Sequence, residues 1–294
     1  MAIPDAIVDS INRCHGTRFR LMRAAAGGES GAACILVDDS GVEYILKWGA
    51  GGEFRRRQAV AITQRLRNRG YPAPEFIAIG EHNEAQYLVQ KMLSGSTSTE
   101  ITPALLQRIV ELNHLQSDVA ADLEDGWPAR IVQSLEHGFK DWCVHDSLAA
   151  HSEETAPMLE ELQLTARLVG TGSFRTRDAV HFDFSSANIL VENGAISGVI
   201  DWNGCCAGDR AFDLVTLGYY ALENESIAAW LLERAREISG PKAVALYLSH
   251  MVLRQLDWSI RHHDEATIER YLNMSRTAVK VIQDLRDLLG GATR

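Results

Sequence analysis

No stretch of the chain is apolar for long enough to span a bilayer. Its first residues, Met1-Ala-Ile-Pro-Asp, show neither the basic nor the apolar segment of a secretory signal. A cytoplasmic protein with no membrane partner is therefore expected. Cysteine is scarce: Cys14, Cys34, Cys143, Cys205 and Cys206 are odd in number and include no C-x-x-C pair. That argues against a disulfide framework and against a thiolate zinc site. Positive charge is also in short supply. With 29 Lys and Arg against 39 Asp and Glu, the formal net charge is −10, which argues against nucleic acid as a partner and is compatible with a cationic small molecule. Neither internal repeats nor low-complexity segments occur. What is left is an ordinary globular composition over 294 residues, 46% hydrophobic and 23% charged, enough for one large domain or two lobes.

Between Val180 and Leu214, three polar residues stand where core packing does not ask for them. Asp183, Asn188 and Asp201 are each bracketed by apolar residues, and a carboxylate carried into a core without a partner is costly. Ile189-Leu190-Val191 and the run ending Val199-Ile200 read as two strands joined by a Glu192-Asn193-Gly194 turn. A hairpin of this kind sets Asn188, before the first strand, beside Asp201, after the second. An amide oxygen and a carboxylate side by side are hard ligands suited to Mg²⁺, with phosphate oxygens filling the remaining positions. Asp183 lies five residues before Asn188, on the loop entering the hairpin.

Upstream, Phe19–Ala26, Ala33–Val37, Val42–Trp48, Glu75–Gly80 and Gln86–Leu93 read as five strands. Gly27-Gly28-Glu29-Ser30-Gly31 links the first two, and its backbone N–H groups are placed to approach phosphates. Lys47 shares a strand face with Ile45, which directs its ammonium toward a cleft; the bland alternative is an edge-strand lysine that blocks aggregation. Residues 53–69 are basic and helical, with Phe54, Ala59, Ile62 and Leu66 on one face, and Gly70, Pro72 and Pro74 end the helix. The polar linker Ser94–Thr99 then marks a lobe boundary. Beyond it the pattern turns helical. Thr102-Pro103 caps one helix, Pro128 opens another whose face carries Ile131, Leu135, Phe139 and Trp142, and Pro157–Val169 is a third. Ala211–Leu222, Ser226–Ile238, Ala243–His262 and Glu265–Leu289 follow.

His181-x-Asp183-x-x-x-x-Asn188, an aspartate at the next strand end, and Gly-Asp-x-x-x-Asp-Leu soon after form the kinase catalytic-loop pattern. In the Asp-Trp-Asn version present here, it resembles the aminoglycoside phosphotransferase and choline-kinase-like family. The resemblance implies an α+β, bilobal protein-kinase-like fold: a small N-terminal lobe with a five-stranded antiparallel sheet and one helix, residues 1–93, binding nucleotide, and a larger helical lobe, residues 94–294, carrying catalysis and the acceptor site. It further implies ATP or GTP as donor with Mg²⁺, Asp183 as the catalytic residue that orients the acceptor hydroxyl and accepts its proton, and Asn188 and Asp201 as metal ligands. Gly28, Ser30, Gly31 and Lys47 would face the phosphates, Glu53 is a candidate to pair with the lysine, and Val89, Gln90 and Met92 would hold the base through main-chain groups. Leu190 and Ile200 complete the nucleotide set. In that family a mid-helix glutamate pairs with the lysine; Gln58 stands in its place here, so either Glu53 or Gln58 is left to support Lys47. His181 is expected to brace the loop rather than to act as a base. Asp213 and Asp209 are expected to cap the following helix or to bond the loop backbone.

Only seven residues separate Asp201 from Asp209, too few for the segment that docks a peptide in protein kinases. The acceptor is therefore expected to be a small molecule with a hydroxyl group, and a cationic one such as an aminoglycoside or a basic peptide antibiotic. Glu223, Glu225, Asp257, Trp258 and Asp264 are candidates for its pocket. Two other readings stay open: a metabolic kinase for choline, homoserine or a sugar, and a non-catalytic nucleotide-binding module.

Overall fold

The structure, a computed structural model, describes residues 3–25, 32–49, 53–97, 101–172 and 174–290. In chain order its elements are α1 (Ile3–His15), β1 (Arg20–Ala24), β2 (Ala32–Val37), β3 (Glu43–Gly49), α2 (Glu53–Asn68), β4 (Phe76–His82), β5 (Ala85–Lys91), β6 (Ser96–Thr97) and α3 (Pro103–Leu115). There follow α4 (Ala129–Glu136), α5 (His145–His151), α6 (Thr155–Val169), β7 (Asp178–Val180), β8 (Ile189–Glu192), β9 (Ala195–Val199), β10 (Cys206–Gly208), α7 (Ala211–Tyr220), α8 (Glu225–His262) and α9 (Glu265–Gly290). They form two compact units: Met1–Arg108 with Ser186–Cys206, and Ile109–Ser185 with Ala207–Arg294.

In the first unit five strands pair antiparallel in the order β1-β2-β3-β5-β4. β3 is central, so Lys47 is no edge-strand gatekeeper. Two helices belong to this unit's 1–93 segment instead of one. The added helix, α1, buries Ile7, Val8 and Ile11 against Phe19, Leu36, Leu46, Ala78, Tyr87 and Val89. Each such side chain contributes about 1.5–3 kcal/mol when fully buried. The turn after β2 is built on Asp38, whose carboxylate accepts from the Ser40 and Val42 N–H groups and from the Tyr44 hydroxyl. A bond from the Ser40 hydroxyl at 2.7 Å acts most strongly, and together with these bonds it brings the pKa down to about 2.

β6 pairs with β8, and β8 with β9, which is why residues 186–206 group with the first unit although the sequence division at 93/94 assigns them to the second. The β8–β9 hairpin closes through Asn193 (φ 52°) and Gly194 (φ 79°), the left-handed pair that a two-residue type I′ turn requires.

In the second unit Ala211 through Tyr219 are all buried, the signature of a helix enclosed on every side; α7 packs on α8, and α8 on α9. α8 is broken at Gly240 (φ 79°), followed by Pro241, in agreement with two separate helices read from the sequence. α4, by contrast, stops at Glu136 instead of running on to Trp142. Gly138 adopts φ 68° there, and a Cβ on it would lie 2.6 Å from the Cys143 carbonyl oxygen. Phe139 and Trp142 still stack, with centroids 4.7 Å apart. Among the described residues no helix is long and apolar enough to cross a membrane.

Candidate active site

In the first unit the hairpin does what its sequence promises. Ile189 pairs with Val199 and the Ile200 N–H donates to the Asn188 carbonyl at 2.9 Å, so Asn188 and Asp201 flank the same end of the ladder. Asp201 takes a left-handed backbone (φ 67°), a conformation aspartate tolerates better than most residues. The buried Trp202 anchors the turn beyond it through its Nε1–H, which donates to the Val199 carbonyl at 2.8 Å, and through edge contact with Tyr71. The Asp201 carboxylate receives the Asn203 amide at 2.9 Å and the Lys47 ammonium, also at 2.9 Å. Lys47 thus reaches the hairpin from β3. Among the described residues no group of three or more His, Cys, Asp or Glu is set to hold a metal. One amide and one carboxylate suit an ion that keeps most of its sphere for water and phosphate, which is the habit of Mg²⁺ and not of zinc.

In the second unit the loop around Asp183 is held from both sides. Asp213, fully buried on α7, accepts the His181 N–H at 2.8 Å and the Phe182 N–H at 3.0 Å, along with the Gln116 amide at 2.6 Å. Asp213 therefore bonds the loop backbone instead of capping its helix. Burial pushes its carboxyl above the ordinary value, against the charge of His181 and these hydrogen bonds. The His181 ring is buried and its Nδ1 lies 3.3 Å from the Asp183 N–H, a bracing position. Phe182 sits at φ 75°, a strained region for a bulky residue. It is stacked on Phe212 at 5.1 Å, with the guanidinium groups of Arg130 and Arg254 over its ring at 4.9 and 5.3 Å. Arg254 also donates to the Phe182 carbonyl at 2.7 Å and to Oδ1 of Asp183 at 2.6 Å. Asp209, buried beneath, accepts from the Ala211 N–H, Ser239 and Tyr247, and so ties the start of α7 to both halves of α8. Burial raises its carboxyl.

Gly28, Ser30 and Gly31 lie outside the described residues, as does the side chain of Glu53, which starts α2. Gln58 is buried, with its Nε2 lacking a hydrogen-bond partner. Val89 and Gln90 are buried in the sheet, and the Met92 N–H donates to the Glu43 carbonyl. Leu190 packs with Leu93 over Gly198, where a Cβ would stand 2.8 Å from Leu93 Cδ1 and 3.2 Å from Leu190 Cδ1; Ile200 is half-buried. Of the late acids expected around an acceptor, Asp257 is buried and held by Arg261 and Ser147. Glu223 is paired with Arg270, and Asp264 accepts the Thr267 N–H at the start of α9. In each of the three the carboxylate already has protein donors. Trp258 stacks on His262 at 3.9 Å.

Arg254 and Gln116 escape the sequence reading. For Arg254 a signal exists: it is the one Lys or Arg in the largely apolar run Ala243–Leu256, and an arginine carried into a core needs an acid. Gln116 carries no comparable mark.

An antiparallel five-stranded sheet unit, a strand lysine, a His-x-Asp loop and an Asn/Asp hairpin define a phosphotransferase of protein-kinase-like fold. The chain belongs to the phosphotransferase enzyme family, whose model matches residues 22–247. Among characterised relatives, hygromycin-B 4-O-kinase of Escherichia coli is 26% identical over 270 residues, spanning 82% of this chain and 74% of that protein. The crystal structure of the aminoglycoside phosphotransferase APH(4)-Ia superposes with a TM-score of 0.70 at 20% identity, covering 95% of this chain and 99% of the other. A thermostable mutant of it, in ternary complex with ADP and hygromycin B, gives 0.66 at 20% identity over 94% and 98% of the two chains. At such identity these structures speak for the fold.

Proposed function

We propose that the protein moves the γ-phosphoryl group of ATP, or of GTP, to a hydroxyl of a small cationic acceptor of the aminoglycoside or basic peptide antibiotic kind, and so inactivates it, in the cytoplasm where the nucleotide is supplied. The observation that carries this reading is the Lys47–Asp201 ion pair at 2.9 Å. A cation on the central strand and a carboxylate at the hairpin end share one point, where a triphosphate and its metal would be received. Residues 1–93 would bind the nucleotide, and residues 94–294 would supply the acid and the acceptor site.

Asn188 and Asp201 would hold Mg²⁺, which supplies charge neutralisation on the phosphate oxygens when bound. Lys47 binds the α- and β-phosphates, with Gly28, Ser30 and Gly31 covering them and Glu53 supporting the lysine. Val89, Gln90, Met92, Leu190 and Ile200 enclose the base. Asp183 orients the acceptor hydroxyl. The hydroxyl oxygen forms a bond to the γ-phosphorus, the bond from that phosphorus to the β,γ-bridging oxygen breaks, and ADP leaves with the electron pair. The hydroxyl proton passes late in the transfer to Asp183. Catalysis here is orientation and charge stabilisation, with little covalent work for the protein.

The acceptor is small because the chain from Asp201 to α7 is fully used by one 3-10 turn, Trp202–Gly204, and by β10. Kinship to a hygromycin kinase, together with the net charge of −10, favours a cationic antibiotic over a neutral metabolite. A coupled assay of nucleotide diphosphate release checks this, run with ATP and with GTP against hygromycin B, other aminoglycosides, basic peptide antibiotics, choline, homoserine and sugars. Acceptor-dependent release with an antibiotic, abolished in Asp183→Ala while calorimetric nucleotide binding persists, is expected. Release with only a metabolic alcohol would shift the reading to a metabolic kinase, and none above hydrolysis would leave a binding module.

A further inference from the structure

The loop that presents Asp183 is gripped by two opposite charges, one on each side of a single residue. Phe182 gives its N–H to Asp213 of α7 and takes a hydrogen bond on its carbonyl from Arg254 of α8. The second arm of the same guanidinium reaches Asp183 Oδ1 at 2.6 Å. We propose that Arg254 is a positioning residue for the transfer step, its planar fork holding the Asp183 carboxylate and the Phe182 carbonyl in one fixed relation. The inference rests on Asp183 being the residue that receives the hydroxyl proton.

Three features support it. The geometry needs an arginine: two N–H groups meet two acceptors on adjacent residues, which one ammonium cannot copy with the same directionality. The contact is partly shielded from water, with the Arg254 side chain 21% exposed and that of Asp183 42% exposed, so the attraction is stronger than at an open surface. The cation is also secure. Burial works against the charge on Arg254, yet Asp183 outweighs it and holds the guanidinium above its ordinary pKa, with Tyr220 and Cys143 adding to the effect. Arg254 further supports the left-handed Phe182 by lying over its ring. A carboxylate already engaged by a cation is a weak base, which suits a reaction whose proton moves late.

The groups around the pair are Arg254 and His250 on α8, Tyr220 on α7, Arg130 on α4, Cys143 in the α4–α5 connection, and His181 on the loop itself. Arg254 and Arg130 bring lasting positive charge, while burial keeps His250 well below its usual pKa.

The test compares Arg254→Ala, Arg254→Gln, Arg254→Lys and Asp183→Ala for ADP release from ATP with hygromycin B, or with water as acceptor where hygromycin B gives none. Folding is checked by thermal melts. In the Ala and Gln variants kcat should fall about ten- to a hundredfold, the size of a lost charge-assisted hydrogen bond, with KM for ATP unchanged within about twofold. The acid limb of their kcat profile should move up by about one pH unit or more as Asp183 loses its cation. Lys should restore the limb while leaving kcat about tenfold low. A purely structural arginine would lower the melting temperature and leave the limb in place. An unmoved limb in a folded Gln variant, or wild-type kcat in any of the three, overturns the proposal. Should Ala and Gln fail to fold, the Lys variant decides: a tenfold loss in kcat at constant KM supports it and full kcat refutes it. Wild-type turnover in Asp183→Ala would remove the underlying assignment, a separate outcome.

Discussion

Asp213→Ala probes what holds the catalytic loop. The carboxylate accepts three hydrogen bonds, from the His181 and Phe182 N–H groups and from Gln116, and it is wholly buried. Each donor stranded in the interior costs about 1–3 kcal/mol. Against this, the variant no longer keeps a carboxyl where burial disfavours its charge, and the space left is polar enough to admit water. The net loss should be about 2–5 kcal/mol, or a fall in melting temperature of roughly 5–15 °C for a chain of this size. Activity should suffer more than stability suggests, because Phe182 at φ 75° loses the acceptor that takes its N–H. Asp213→Asn is the sharper variant. One oxygen can still serve His181 and Gln116, but the amide then turns a donor toward the Phe182 N–H. A smaller drop in melting temperature is expected, together with at least a tenfold drop in kcat. Calorimetry and the coupled assay measure both. An Asn variant with wild-type kcat would refute the view that Asp213 sets the Asp183 geometry through Phe182.

Asp201→Ala should lose Mg²⁺-dependent nucleotide binding in titration calorimetry, and Lys47→Ala should raise KM for nucleotide with a smaller effect on folding; unchanged binding in the first would contradict the metal role. Asp178 makes an acid-labile contribution. Burial raises its carboxyl, but Arg175 at 2.6 and 2.7 Å and the N–H groups of Asp118 and Arg210 outweigh burial and hold it below its ordinary 3.8. A folded-state pKa below the unfolded one means stability present above 3.8 and lost as pH falls through the folded value. Asp178→Asn should cost about 2–3 kcal/mol at neutral pH, below the fully buried figure because Arg175 is more than a third exposed. The gap to wild type should close as pH drops below about 4, followed by denaturant unfolding. An equal gap at pH 3 and pH 7 would exclude the ion pair as its source.

Much of the first unit is legible from local chemistry. Alternation marked the strands, Asn193-Gly194 marked the turn, and the register of a two-residue turn then brought Asn188 and Asp201 to one end without any long-range information. α1 went unread, although Ile7, Val8 and Ile11 recur at helical spacing, because the surface of the sheet it covers is set by tertiary packing. The end of α4 turned on Gly138, whose positive φ outweighed the apolar spacing that continued to Trp142.

Read along the chain alone, the candidate site residues and their order are plain: a lysine strand, a His-x-Asp loop and an Asn/Asp hairpin, with too short a run after Asp201 for a peptide platform. These follow from spacing and turn geometry, which are local. Which charges hold these residues depends instead on how distant elements pack. Lys47 and Asp201 lie 154 positions apart, and Asp183 and Arg254 71 positions apart. A buried or half-buried charge shows in the sequence as a residue in need of a partner, and the partner is chosen by how β3 meets the hairpin and how α7 and α8 pack. For the same reason Asp257 and Glu223, acids that the sequence offers to an acceptor, are already taken by Arg261 and Arg270.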